Sequence, residues 1–137
     1  MDNLELLLKE LIKQPNETSW LEFKVNNDEH TMIGQDICAL ANAAALVGRD
    51  KAYFIWGVED KTHELKGTSF NWRTTKVGNE ELENWLRHSL SANANFEFNS
   101  VKIDNKWFGI LEITAATNST VMFKKEEFIR IGSYTKN

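Results

Sequence analysis

The sequence predicts an α+β domain, a mixed β-sheet packed with about three helices. Three observations carry that prediction. Apolar residues recur at helical spacing in three separate stretches, around 4–12, 31–46 and 82–90. Between and after them stand short alternating or wholly apolar runs bounded by turn residues, the pattern of strands. No repeat, linker or low-complexity segment interrupts the series, and 137 residues suit a single domain, 1–137, with one real core.

Asp2 is placed to cap the first helix, with Glu5 in the reciprocal position three residues on. Leu4, Leu7, Leu8, Leu11 and Ile12 form its apolar face. Pro15 ends it, because the residue before a proline is pushed out of the helical region. The stretch Asn16–Lys24 then reads as a turn leading into a strand, with Trp20, Glu22 and Lys24 on one face and Leu21, Phe23 and Val25 on the other. The second face is wholly apolar and belongs to the core. The first sets a carboxylate and an ammonium about 7 Å apart along a strand that rises about 3.3 Å per residue. A half-buried strand presenting both needs an internal ion pair or a ligand.

After a turn at Asn26-Asn27-Asp28, a second helix is predicted over about 31–46, its stripe made by Ile33, Ile37, Leu40, Ala41 and Ala44, with Gly48 as the stop. Ala52–Val58 is a nearly continuous apolar run, the signature of a central strand covered on both faces. Residues 59–62 make a turn and 64–67 a short returning strand. Residues 68–78 form a polar loop carrying Phe70, Trp72, Arg73 and Lys76. Asn79 is placed to cap a third helix with Glu80 and Glu81 in its positive first turn and Leu82, Trp85, Leu86 and Leu90 on its apolar face. Phe96–Ile103 and Trp107–Thr114 are strands joined at Asp104-Asn105, and Val121–Lys124 with Phe128–Ile131 form a last hairpin through 125–127. Trp56 and Trp107 are assigned to the core.

Composition narrows the functional classes. Hydrophobic content of 42% and charged content of 26% describe an ordinary globular chain. No apolar run approaches a membrane span and the N-terminus is unlike a signal peptide, so the expected location is cytoplasmic. Cys38 stands alone, which excludes an internal disulfide and a cysteine-based metal site and suggests a buried, reduced thiol. The three histidines lack zinc-like spacing. A net charge of −4 argues against indiscriminate coating of nucleic acid. The charge is uneven, however: residues 1–99 carry 10 Lys/Arg against 16 Asp/Glu, and residues 100–137 carry 6 against 4. A polyanion contact would therefore draw on local basic residues. Neither a G-x-x-x-x-G-K-[ST] nor a G-x-G-x-x-G run occurs, and no Ser or Cys nucleophile has a plausible histidine partner.

Four spaced blocks go further. Glu17-x-x-x-x-Glu22-Phe23-Lys24, Ile37-Cys38-Ala39-Leu40-Ala41-Asn42, Trp56-Gly57-Val58-Glu59-Asp60 with Lys66-Gly67, and Phe128-Ile129-Arg130-Ile131-Gly132-Ser133 together resemble the Schlafen AlbA-like DNA-binding domain family. The resemblance implies an N-terminal module of a transcriptional-regulator-like protein with DNA or structured RNA as partner. It leaves open a homodimer and an additional C-terminal domain. A related core in eukaryotic Schlafen proteins cleaves tRNA and rRNA with three acids and a divalent metal. Carried over, those acids fall on Glu17, Glu22 and Asp60, with Mg²⁺ or Mn²⁺ as the metal if the chain is an endoribonuclease. One departure is visible, since Asn42 is followed by residues 43–50 with a single glycine where the family has a Gly-Gly turn.

Each candidate has a plainer reading beside the functional one. The three carboxylates would repel if they converged, so convergence implies a metal or a cation such as Lys24; otherwise Glu17 is solvated, Glu22 pairs with Lys24 and Asp60 is a turn former. Lys24, Lys124, Lys125, Arg73 and Arg130, the last expected to point outward, are candidates for phosphate contact, while charges on a hairpin edge also guard against aggregation. Phe70, Trp72 and Arg73 would stack on unpaired bases or pin their loop to the domain. A protein interaction module is the third functional class.

Overall fold

Alternation along four strands decides the architecture. The computed structural model describes residues 3–16 and 18–137. In chain order the elements are α1 (Asn3–Leu11), β1 (Leu21–Lys24), α2 (His30–Leu46), β2 (Lys51–Trp56), β3 (Lys76–Val77), β4 (Glu80–Glu81), α3 (Leu82–Ser89), β5 (Phe96–Ile103), β6 (Lys106–Thr114), β7 (Met122–Phe123), β8 (Glu126–Glu127), β9 (Ile129–Ile131) and β10 (Tyr134–Lys136). The main sheet has the order β1-β2-β6-β5. Its β1–β2 pair is parallel, joined through α2, and its other two pairs are antiparallel, so the sheet is mixed as predicted. Three short two-stranded ribbons, β3–β4, β7–β8 and β9–β10, complete the fold.

Both faces of the sheet are buried. Phe54, Trp56, Leu111, Ile113, Phe96 and Phe98 pack toward α2 and α3. The intervening Tyr53, Ile55, Phe108 and Ile110 pack with Leu21 and Phe23 against Leu8 and Leu11 of α1. The continuous apolar run of β2 follows from this, because both of its faces are lined. Among the described residues no helix is long and apolar enough to cross a membrane.

Helix α2 is covered more fully than its apolar stripe predicts. From Ile33 to Ala44 only Gln35 is not buried. The sheet takes one side and the C-terminal ribbons the other, which is why the helix is so rich in alanine and carries Gly34. At Gly34 a methyl group would lie 2.2 Å from a ring carbon of Phe123, so only glycine lets β7 seat. Asn42 fastens the same layer: its Nδ2 donates to the carbonyls of Val121 (3.0 Å) and Phe128 (2.8 Å), and its Oδ1 accepts from the Val121 amide (2.8 Å). The Cys38 thiol donates to the Val121 carbonyl at 3.0 Å, and burial pushes it up to about 11. The buried thiol expected from the sequence is there.

Several expectations need correction. The third helix begins at Leu82, with Glu81 as cap, because Glu80 and Glu81 pair with β3 and Asn79 lies in the turn between the two strands. The returning strand at 64–67 is a single bridge, Val58 to Leu65. The last hairpin is two ribbons: β7 turns at Lys124-Lys125 into β8, both residues with positive φ, and β9 pairs forward with β10. The second helix is capped by the Glu29 carboxylate, which accepts from the amides of Thr31 and Met32. Trp107 is not core, being 54% exposed. The Asp2 cap lies outside the described residues.

The packing at Gly34 sets a test. Gly34→Ala is expected to destabilise the fold by about 1–3 kcal/mol through overpacking against Phe123. Urea denaturation would detect it, and pairing the change with Phe123→Leu should recover part of the loss.

Candidate nucleic-acid interface

Strand β1 is a sheet edge, and an edge leaves backbone carbonyls without a ladder partner. Arg130 of β9 meets this need. Its Nη2 donates to the carbonyls of Leu21 (3.1 Å) and Thr18 (3.5 Å), and its Nη1 donates to the Glu22 carboxylate. The side chain is 1% exposed. The outward orientation expected for Arg130 is therefore corrected: Arg130 points inward, and Ile131 takes the exposed position. Its Nε has no hydrogen-bond partner among the described residues.

Glu22 sits between two cations, with Lys24 Nζ 3.8 Å from its second oxygen. The ion pair anticipated between Glu22 and Lys24 exists, but Arg130 is the closer partner. Across from them on α2, the buried Asp36 accepts a hydrogen bond from the Thr135 hydroxyl at 2.6 Å. Burial raises the Glu22 carboxyl above its ordinary range even though Arg130 pulls it down, and the Asp36 charge adds to the rise. Burial raises Asp36 likewise, against the Thr135 hydrogen bond and Arg130. Asp36 was not a sequence candidate; its place as the one carboxylate within α2, directly before the apolar run 37–41, was the available signal.

Of the three acids carried over by resemblance, Glu17 lies outside the described residues. Asp60 is exposed in the turn after β2 and borders a small cleft with Thr18, His63 and Arg130. Among the described residues no group of three His, Cys, Asp or Glu side chains is placed to hold a metal. Glu22 is already neutralised by Arg130 and Lys24, so the described donors do not fit a divalent cation.

The other basic candidates are on loops. Lys124 and Lys125 are exposed at the β7–β8 turn, where they border a groove with His88, Ser89 and Ser91. Lys124 Nζ stands 5.2 Å over the Trp85 ring. Arg73 lies over Trp72 at 4.9 Å, Trp72 stacks on Phe98 at 5.2 Å, and Phe70 stacks on Trp56 at 4.4 Å. Phe70 and Trp72 thus pin the loop to the sheet. Among the described residues, none of Arg73, Lys102, Lys124 and Lys125 has a carboxylate within 4.0 Å, unlike Lys24 and Arg130. Sequence reasoning missed Lys102, the cross-strand partner of Trp107. Its signal was a cation directly opposite a tryptophan beside a tight turn.

Residues 17–137 match the family model described as Schlafen, AlbA_2. The chain belongs to that family. The AlbA_2 match takes in the Glu22 strand, α2 with Asn42, the aromatic loop and both C-terminal ribbons. Among solved structures, the DIP2311 protein from Corynebacterium diphtheriae superposes with a TM-score of 0.57 at 15% identity, covering 96% of this chain and 29% of that one. The likeness is one of fold, and the chain spans less than a third of that protein's length. No curated protein sequence matches it.

Two measurements probe the buried cluster. Arg130→Met is expected to cost roughly 3–5 kcal/mol by leaving the buried Glu22 with only the more distant, half-exposed Lys24 as a partner, and the double change Glu22→Leu with Arg130→Met should cost clearly less than Arg130→Met alone. Equilibrium unfolding of both variants would show whether the charges act as a pair. The raised carboxyls also set a pH dependence. The folded chain keeps protons that the unfolded chain has released, so their contribution is full below the ordinary range near about 4 and is lost as pH rises past the elevated folded values. Asp36→Asn should therefore gain stability relative to the unaltered chain between about pH 4 and about pH 7, since the amide escapes that loss. Denaturation at both pH values checks it; an unchanging difference would show that Asp36 carries no such penalty.

Proposed function

We propose that residues 1–137 form one nucleic-acid-binding domain of a transcriptional-regulator-like protein. Membership of the Schlafen AlbA_2 family supports the class. The observation that carries the reading is the set of exposed, carboxylate-free cations on two loops, Lys124 and Lys125 at the β7–β8 turn and Arg73 in the aromatic loop. In a chain of net charge −4, cations left unneutralised in this way make a local, not a global, attraction for phosphate. Lys24 is a lesser contributor, because it shares its charge with Glu22. Arg130 acts as a positioning residue that closes the β1 edge.

Phosphate contacts of this kind position a duplex or a folded RNA without reading its bases. Binding should fall steeply between about 50 and about 200 mM salt, and the double variant Lys124→Ala, Lys125→Ala should lower the slope of log K against log salt by about 2. Fluorescence anisotropy with a labelled DNA duplex and a labelled RNA hairpin measures both. Absence of binding at low salt would overturn the proposal. The same mixtures with Mg²⁺ or Mn²⁺ should leave the strands intact; metal-dependent cleavage lost in Glu22→Gln would assign the chain to the endoribonuclease class instead.

A further inference from the structure

We propose that the cleft between loop 68–75 and the β5–β6 turn takes one unpaired nucleotide of a single strand. Its base would stack on Trp107, and its phosphate would be met by Arg73 and Lys102. This rests on the nucleic-acid-binding reading and names where a strand would enter.

The sheet face toward α2 carries an aromatic ladder. Phe54 stacks on Trp56 at 4.2 Å, Trp56 on Phe70 at 4.4 Å, and Phe98 on Trp72 at 5.2 Å. Trp107 continues this face toward the β5–β6 turn, yet among the described residues no ring packs on it and it is 54% exposed. Its neighbour is a cation, with Lys102 Nζ 5.7 Å from the ring centre. A half-exposed tryptophan with a single lysine over its ring and, among the described residues, no aromatic neighbour is the composition of a base-stacking platform.

The cleft beside it has the size and chemistry for such a ligand. Its volume is about 420 Å³, within the range of small-molecule sites. Ser69, Asn71, Arg73, Ser100 and Trp107 line it, and among the described residues no carboxylate does. The Arg73 guanidinium makes no hydrogen bond or ion pair among the described residues, so its donors are available to a phosphate. Ser100 accepts the Trp72 indole N–H at 3.2 Å, which leaves its own hydroxyl proton free to donate.

The walls are held in place before any ligand arrives. The Thr68 amide donates to the Trp107 carbonyl at 2.8 Å, tying the loop to β6. Asn26 Oδ1 accepts from the Ser69 amide and the Thr68 hydroxyl, each at 2.9 Å. Gly67, with φ +79°, lets the loop pass Lys106, whose Cβ would lie 2.9 Å from an added methyl group. A fixed cleft loses little entropy on binding.

The test titrates the chain with labelled 12-nucleotide oligo(dT) and oligo(U), and with a blunt DNA duplex, while following anisotropy and tryptophan emission. Trp107→Ala should weaken single-strand binding roughly tenfold to a hundredfold, and duplex binding far less. Trp107→Phe should keep most of the affinity but lose the ligand-induced quenching. Arg73→Ala with Lys102→Ala should weaken single-strand binding and its salt dependence. Because Trp107 is exposed, circular dichroism should show each variant folded. Single-strand binding and quenching unchanged in Trp107→Ala would overturn the proposal. So would duplex binding with none to single strands, in which case the parent reading would stand through Lys124 and Lys125. Failure of the unaltered chain to bind any of the three probes would remove the parent reading, and this one with it.

Discussion

The Arg130–Glu22 pair holds the two ends of this fold together. It joins β1, near the start of the chain, to β9, near its finish, across 108 residues of sequence. Burying a carboxylate and a guanidinium is costly on its own, and the arrangement persists because the guanidinium also serves the edge carbonyl of Leu21 and that of Thr18 before the strand. The strand register depends on it. If β1 slipped by one residue, Glu22 would turn toward α1 and Leu21 or Phe23 toward the charges, inverting both faces at once. Lys24 and Asp36 are outer members of the same cluster, and Thr135 links it to β10.

Around that pair the molecule is organised in layers: α1, the sheet, α2 with α3, and then the C-terminal ribbons. Besides the Arg130–Glu22 pair and the Thr135–Asp36 hydrogen bond, the Asn42 amide and the gap at Gly34 attach the last layer. Both are on α2, so one helix orders the sheet beneath it and the ribbons above it. The β7–β8 turn projects Lys124 and Lys125 from this upper layer, while the aromatic loop and Trp107 stand on the sheet face beyond it. The cations proposed for phosphate contact thus come from separate elements positioned by one core.

What the sequence reveals and what it withholds follow from the range of the interactions. Helices α1 and α2 and strands β1, β2, β5 and β6 are legible because their periodicity is local and strong. The Glu22 strand is recognised, with Leu21 and Phe23 on the core face as expected, whereas Val25 lies past the strand's end and packs in neither core cluster. Arg130 is misjudged because its partner is far away in sequence and its ribbon pairs forward with β10; a three-residue strand has too little pattern to reveal its inner face. Trp107 is misjudged for another reason. Alternation gives the face on which a residue lies but not where the cover over that face ends. The Asn42 contacts are likewise invisible in sequence, although its block is one of the four that together carry the family resemblance.

Cys38 gives the chain its own internal reporter. The thiolate is the reactive form, and a thiol pushed up to about 11 beneath the carbonyls of Val121 and Phe128 is both protonated and shielded. No second cysteine competes with it. Alkylation must wait until the C-terminal ribbons lift from α2, so its rate counts those openings without any engineered label. The layer that carries Lys124 and Lys125 can thereby be timed as it detaches from α2, and a ligand bridging the two would slow the clock.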